Sequence, residues 1–427
     1  MNSKISFVVL LAVIVLFSGC LTANLNDGYI NDASEQAITI EKEPTQVEPV
    51  KSAKINDPVN EIDLFKAQIA KMTLSEKIGQ MLLVGFKGYE INEELKRLIQ
   101  NDHIGGVILF RNNVKNPDQL LALVNTIKET NSKSKVPLFI SVDEEGGRIS
   151  RMPEELHKLP SNQIIGEINN KDFSFKIGEL LAEELKAFGF NMNFAPVLDI
   201  FSNPKNTVIS DRAFGANAEI VSNLGIQTMK GIRTGGIIPV VKHFPGHGDT
   251  LVDSHVGLPS VTYDLEHLKS FELVPFKAAI DNQADAVMIA HILMNTIDYK
   301  NPASLSKIII TNILRKQMHF DGVVITDDMT MGAIEKNYQI GDAAVKSINA
   351  GSDIILVCHG YDNEVNVMDA LNAAVEDGTI PEYRVDESVY RILKLKNKYK
   401  ITDDKTVSIN ADEINKKIDA VLGKWYN

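Results

Sequence analysis

Gly322–Asp328 reads GVVITDD: three β-branched apolar residues in succession, a threonine, then two adjacent aspartates. An apolar run without alternation is what a strand buried on both faces of a parallel sheet requires. Seven more runs in the chain share this form. They are MLLVGF from Met81, GGVILF from Gly105, PLFISVD from Pro137, NMNFAPVLDI from Asn191, IIPVVKHF from Ile237, ADAVMIAHI from Ala284 and DIILVCHG from Asp353. Helical patterns such as PDQLLALVNTIKET and FKIGELLAEELKAFG lie between them. Eight strand-helix units predict an α/β fold, a TIM (β/α)8 barrel forming a single folded domain. The competing architecture, an open doubly wound sheet, would carry a glycine-rich phosphate loop after its first strand. Here Gly105 and Gly106 precede their strand instead.

A barrel of this kind places its active site at the C-terminal ends of the strands. The polar residues of the runs fall there: Asp143, Glu144 and Glu145, then Asp199, Lys242 and His243, His291, Asp327 and Asp328, and His359. Neighbours on an extended strand point to opposite faces, so one of Asp327 and Asp328 faces the barrel mouth, and alternation does not choose which. Lys242 ends a buried strand, where lysine is uncommon unless it meets substrate or a carboxylate. Arg148 and Arg151 follow strand three, and Arg212 lies in SDRAFG after strand four; such groups form forks with carboxylates or clamp anions. After strand five, Val241–Pro259 reads VKHFPGHGDTLVDSHVGLP and holds three of the nine histidines. Its residues suit either a zinc site or an Asp253–His255 pair acting as general acid and base, with a structural loop as the third alternative. Its many glycines favour a mobile lid over a rigid metal cage.

With 427 residues and 44% hydrophobic content, the chain has enough apolar side chains for a large core. A formal net charge of −12 argues against a broad phosphate-binding surface, and so against a nucleic-acid partner. Residues 1–20 combine Lys4, a short apolar run and Ser-Gly-Cys, which resembles a signal peptide with a lipobox; Cys20 is the expected lipidation site. Residues 21–60 are polar and rich in charge, and read as a flexible tether. The barrel domain is expected over 61–400, opening near a capping box at Thr73 and Glu76, with a C-terminal extension over 401–427 packed on or trailing it. Cys358, the second of two cysteines, is expected to be a buried small hydrophobe.

Four motifs occur in a telling order: VDEEGGRISR, KHFPGHGDT, DSHVGLP and ITDDMTMGAI. Together they resemble glycoside hydrolase family 3, in particular the bacterial β-N-acetylhexosaminidases, over about Ile78 to Val357. The resemblance implies that Asp327 is the nucleophile and that His255, paired with Asp253, is the acid and base. It further implies sugar contacts from Asp143, Arg151, Arg212, Lys242 and His243, with no metal and no cofactor. A retaining exo-β-N-acetylglucosaminidase follows, acting on peptidoglycan-derived or chitin-like glycans. A second domain of the kind that supplies a carboxylic acid in related glucosidases is not expected, which favours N-acetylglucosaminides. A monomer, exported and lipid-anchored to the outer face of the cytoplasmic membrane, is expected. Two other functions compete: a metal-dependent barrel hydrolase using the His/Asp loop, and a solute-capturing lipoprotein.

Overall fold

Eight parallel strands close into a barrel in the computed structural model, which describes residues 58–250 and 252–425, with side chains from residue 64 onward. The signal peptide, Cys20 and nearly all of the predicted tether lie outside the described residues. The first described helix, Pro58–Ile69, begins inside the span predicted as tether. The strands are β1 (Leu82–Val84), β2 (Gly106–Leu109), β3 (Phe139–Val142), β4 (Met192–Asn193), β5 (Ile238–Phe244), β6 (Ala286–Ile289), β7 (Val323–Asp328) and β8 (Ile354–Val357). Each pairs with its sequence neighbours, and β1 closes the ring on β8. All eight apolar runs thus supply one strand apiece. Every strand residue is buried except the last two of β7, Asp327 and Asp328, which are half-buried. The continuous apolar pattern has its cause here: one face fills the barrel and the other packs beneath helices.

The fourth strand is much shorter than the run NMNFAPVLDI predicted. Only Met192 and Asn193 pair regularly. Pro196 has no N–H to give to a ladder, and beyond it the chain touches β5 through Val197 opposite Lys242 and through Leu198 N–H on the Lys242 carbonyl (2.6 Å). This departure lets the segment carrying Asp199 fold under the mouth.

Helices cover the barrel as their sequences direct. Thr73 Oγ1 accepts from Glu76 N–H (3.2 Å) while Glu76 Oε2 accepts from Thr73 N–H (2.7 Å), the predicted capping box at the entry to β1. The helices Lys171–Phe188 and Ala218–Thr234 meet at glycines. A Cβ on Gly231 would lie 2.2 Å from the Phe175 carbonyl oxygen, so only glycine permits this approach. The C-terminal helix Ala411–Trp425 packs on Lys171–Phe188, with Trp425 and Phe173 ring centroids 5.4 Å apart and a Lys417–Glu183 ion pair. The described residues form one compact unit, and none of their helices is long and apolar enough to cross a membrane. Cys358 is buried and unpaired, as expected.

Candidate active site

At the C-terminal mouth of the barrel lies a cavity of about 290 Å³. Asp143 and Arg151 enter it from the loop after β3, Arg212 from the loop after β4, Lys242 and His243 from β5, His255 from the loop after β5, and Asp327 from β7. Asp253 stands behind His255 and is not in the lining. A wider groove of about 920 Å³ opens at the opposite end of the barrel. There Asp285 is already engaged by Arg233, Lys398 and Tyr399, and no histidine lines the groove.

The two aspartates closing β7 have different surroundings. Asp328 Oδ1 accepts from Cys358 N–H (2.9 Å) and Thr330 N–H (2.9 Å), and Oδ2 accepts from the Thr330 hydroxyl (2.6 Å). Its carboxylate is occupied in tying β7 to β8. Among the described residues Asp327 receives one hydrogen bond, from Asp328 N–H (2.9 Å), and otherwise faces the cavity. Burial would raise its pKa, but the nearby His291 and that N–H act against burial, and the pKa is lowered. An ionised carboxylate with free lone pairs at the floor of a cavity is suited to nucleophilic attack.

On the other side of the mouth, alternating charges form a fixed array. Lys242 Nζ donates to Asp143 Oδ1 (2.6 Å) and lies 2.7 Å from Glu145 Oε1. Arg212 forks onto Glu145 through Nε (2.8 Å) and Nη2 (2.7 Å). Burial would push the Glu145 carboxyl up; Arg212 and Lys242 overcome this and hold it well below the usual range. Arg212 Nη2 lies 3.3 Å from His243 Nε2, whose Nδ1 meets Asp199 Oδ2 at 2.6 Å. An arginine N–H can only donate, so Nε2 accepts and Nδ1 carries the proton given to Asp199. Lys242 and His243, joined by a cis peptide, both line the cavity; the β5–β6 register shifts between Val241 and Phe244. Arg151 has no carboxylate within ion-pair distance among the described residues, while its N–H donates to Glu144 Oε2 (2.6 Å).

His255 Nδ1 lies 2.8 Å from Asp253 Oδ1, and the same oxygen accepts from His255 N–H (2.9 Å). The dyad is open to solvent: the His255 side chain is 69% exposed and that of Asp253 40%. Ser254 between them is buried, with its hydroxyl 3.3 Å from His247 Nε2. Among the described residues, no group of three or more His, Cys, Asp or Glu side chains is disposed to hold a metal ion.

Sequence reasoning placed Glu145, Asp199 and His291 on the rim without giving them roles. Asp199 is fully buried beneath the mouth and also accepts His247 N–H (2.7 Å). His291 is buried against β7, bonding Ser304 Oγ (2.7 Å) and the Asp328 carbonyl (3.0 Å), and it helps lower the pKa of Asp327. Glu272 lies under the loop, both carboxyl oxygens without a hydrogen-bond partner among the described residues; burial, Asp199 and Asp249 push its pKa up to about 8. The signal for Glu272 was absent, because it lies on a surface-helix pattern far from any motif.

Comparison with known proteins bears on this constellation. The profile described as "Glycosyl hydrolase family 3 N terminal domain" matches residues 73–395. Beta-hexosaminidase A of Pseudoalteromonas piscicida is 34% identical over 77% of this chain, which spans 61% of that protein's length. The beta-hexosaminidase of Neisseria gonorrhoeae is 37% identical over 70% of this chain and 82% of its own. A solved family 3 β-N-acetylglucosaminidase from Paenibacillus sp. str. FPU-7 superposes with a TM-score of 0.78 at 40% identity, covering 82% of this chain and 68% of the other. The match runs from the capped helix before β1 to the helix that closes the barrel after β8, and the chain belongs to glycosyl hydrolase family 3.

Proposed function

We propose that the protein is a retaining exo-β-N-acetylglucosaminidase that removes terminal β-linked N-acetylhexosamine through a covalent glycosyl-Asp327 intermediate. The observation that carries this reading is the division between the two β7 carboxylates: Asp328 is bound by three donors while Asp327 faces the cavity that His255 also lines. The named relatives support the choice of sugar: two are beta-hexosaminidases and the solved structure is a β-N-acetylglucosaminidase.

In the first step a carboxylate oxygen of Asp327 forms a bond to the anomeric carbon as the glycosidic bond breaks. The protonated His255 gives its proton to the departing oxygen. Now neutral, His255 takes a proton from water, whose oxygen attacks the same carbon and releases Asp327. Asp253 orients the ring through Nδ1 and stabilises the imidazolium as an aspartate does beside a catalytic histidine. A neutral imidazole also repels an incoming or departing oxygen less than a second carboxylate would. Asp143, Lys242, His243, Arg212 and Arg151 bind sugar hydroxyls and the acetamido group, and the contacts of Lys242 with Asp143 and Glu145, of Arg212 with Glu145 and of His243 with Asp199 keep those four in place before substrate arrives.

The substrates proposed are peptidoglycan-derived or chitin-like glycans, met outside the cell by a protein lipid-anchored at Cys20; the support is the N-terminal sequence alone. Release of nitrophenol from nitrophenyl β-N-acetylglucosaminide, with and without EDTA, tests the reaction. No turnover of any aryl glycoside would overturn the hydrolase reading, and turnover abolished by EDTA would favour the metal-dependent one. Mass spectrometry of digested muropeptides tests the substrate class.

A further inference from the structure

We propose that His247 is the positioning residue of the acid/base loop, fixing Ser254 and through it Asp253 and His255 opposite Asp327. This rests on the reading of Asp253 and His255 given above. The two members of the dyad are exposed, whereas Ser254 between them is 2% exposed, so the loop is pinned at its middle residue. Three contacts make the pin. Ser254 Oγ meets His247 Nε2 at 3.3 Å, the Ser254 carbonyl accepts from Ala333 N–H (3.0 Å), and the His255 carbonyl rests on Gly332. A Cβ on Gly332 would stand 2.6 Å from that carbonyl oxygen, so glycine is needed where the loop presses on the segment following the β7 aspartates.

His247 is itself held by several hydrogen bonds. Its N–H donates to Asp199 Oδ1 (2.7 Å), its carbonyl accepts from Asn206 Nδ2 (2.8 Å) and the Thr250 hydroxyl (3.1 Å), and Nδ1 lies 2.7 Å from Thr250 Oγ1. Asp199 also holds His243, so one buried carboxylate ties the sugar-binding side of the mouth to the acid/base side. Burial pushes the His247 ring down to about 4. Neutral, it has one N–H and one lone pair: with the Thr250 proton given to the His247 carbonyl, Nδ1–H donates to Thr250 Oγ1 and Nε2 accepts from the Ser254 hydroxyl. It therefore holds the loop without placing a second cation beside the dyad.

The test compares His247→Asn, His247→Gln and Ser254→Ala on two substrates. Nitrophenyl β-N-acetylglucosaminide has a leaving group needing little protonation; diacetylchitobiose has one that needs a full proton. A positioning role predicts that His247→Asn and Ser254→Ala lower kcat/KM on the disaccharide by about 10- to 100-fold, and much less on the nitrophenyl glycoside. Added azide should then accelerate nitrophenyl release by taking the place of water. His247→Gln, whose longer amide reaches Ser254, should retain most of the disaccharide activity. Ser254→Ala changes one small loop residue and guards against misfolding of the histidine variants. Equal losses on both substrates, no azide response, or full disaccharide activity in Ser254→Ala would each overturn the proposal. Wild-type protein that cleaves neither substrate would instead overturn the hydrolase reading on which it rests.

Discussion

Replacing Asp327 and Asp328 one at a time separates chemistry from architecture at two adjacent positions of one strand. In Asp328→Ala, three hydrogen bonds to an ionised acceptor vanish, two of them from backbone N–H groups. Bonds to charged groups contribute about 1.5–3 kcal/mol each. Because these share one carboxylate and are not additive, we expect a stability loss of about 3–5 kcal/mol. Asp327→Asn removes a charge but keeps the shape, and the single Asp328 N–H bond can still form to the amide oxygen. Its stability should change by less than about 1 kcal/mol, while turnover falls by roughly 10⁴-fold or more, as when a nucleophile is removed. Urea titration measures the first quantity and nitrophenyl glycoside turnover the second. Trapping with a fluorinated glycoside, digestion and mass spectrometry should place the label on the peptide at Asp327. An Asp327→Asn enzyme of near-normal activity, or a label on Asp328, would refute the assignment drawn from their hydrogen bonds.

Three further outcomes are expected. Asp253→Ala should lower kcat at least 10²-fold with an unchanged melting temperature and a pH–rate profile altered on the limb set by His255; an unaltered rate would remove the dyad from the mechanism. For Glu272, the folded pKa of about 8 stands above its ordinary 4.5, so the folded state binds the proton more tightly and stability falls as pH rises through that window. Glu272→Gln should therefore match the wild type near pH 4 and become progressively more stable by pH 8, by at most about 4–5 kcal/mol, read from urea titrations across pH. In Lys242→Met, Asp143 loses its cation and Glu145 keeps only Arg212; we expect a loss of about 3–5 kcal/mol with a raised KM, and partial recovery of stability but not of activity when Glu145→Gln is added.

Local pattern and non-local pairing contributed differently to this protein. The barrel was legible because parallel strands buried on both faces leave an uninterrupted apolar run, and eight such runs leave few other architectures. The position of the site was legible for a related reason: charged groups are tolerated only where a buried strand reaches the rim, so Asp143, Lys242, His243 and Asp327 mark strand ends by chemistry alone. The Asp253–His255 contact was also within reach, since it spans two residues. Strand alternation, in contrast, could not choose between Asp327 and Asp328, because a period of two separates neighbours without saying which face is which. That difference lies in Cys358 and Thr330, which saturate Asp328, and Cys358 directly follows another strand, β8. Alternation also sends Lys242 and His243 to opposite faces, yet both line the cavity where the β5–β6 register shifts. The partners that fix them, Glu145, Asp143 and Asp199, are contributed by the segments after β3 and β4, tens of residues away. Hydrophobic burial acts along every segment and so leaves a periodic trace in the sequence. The pairing of a lysine with one carboxylate rather than another depends on closing the barrel, and only the tertiary structure decides it.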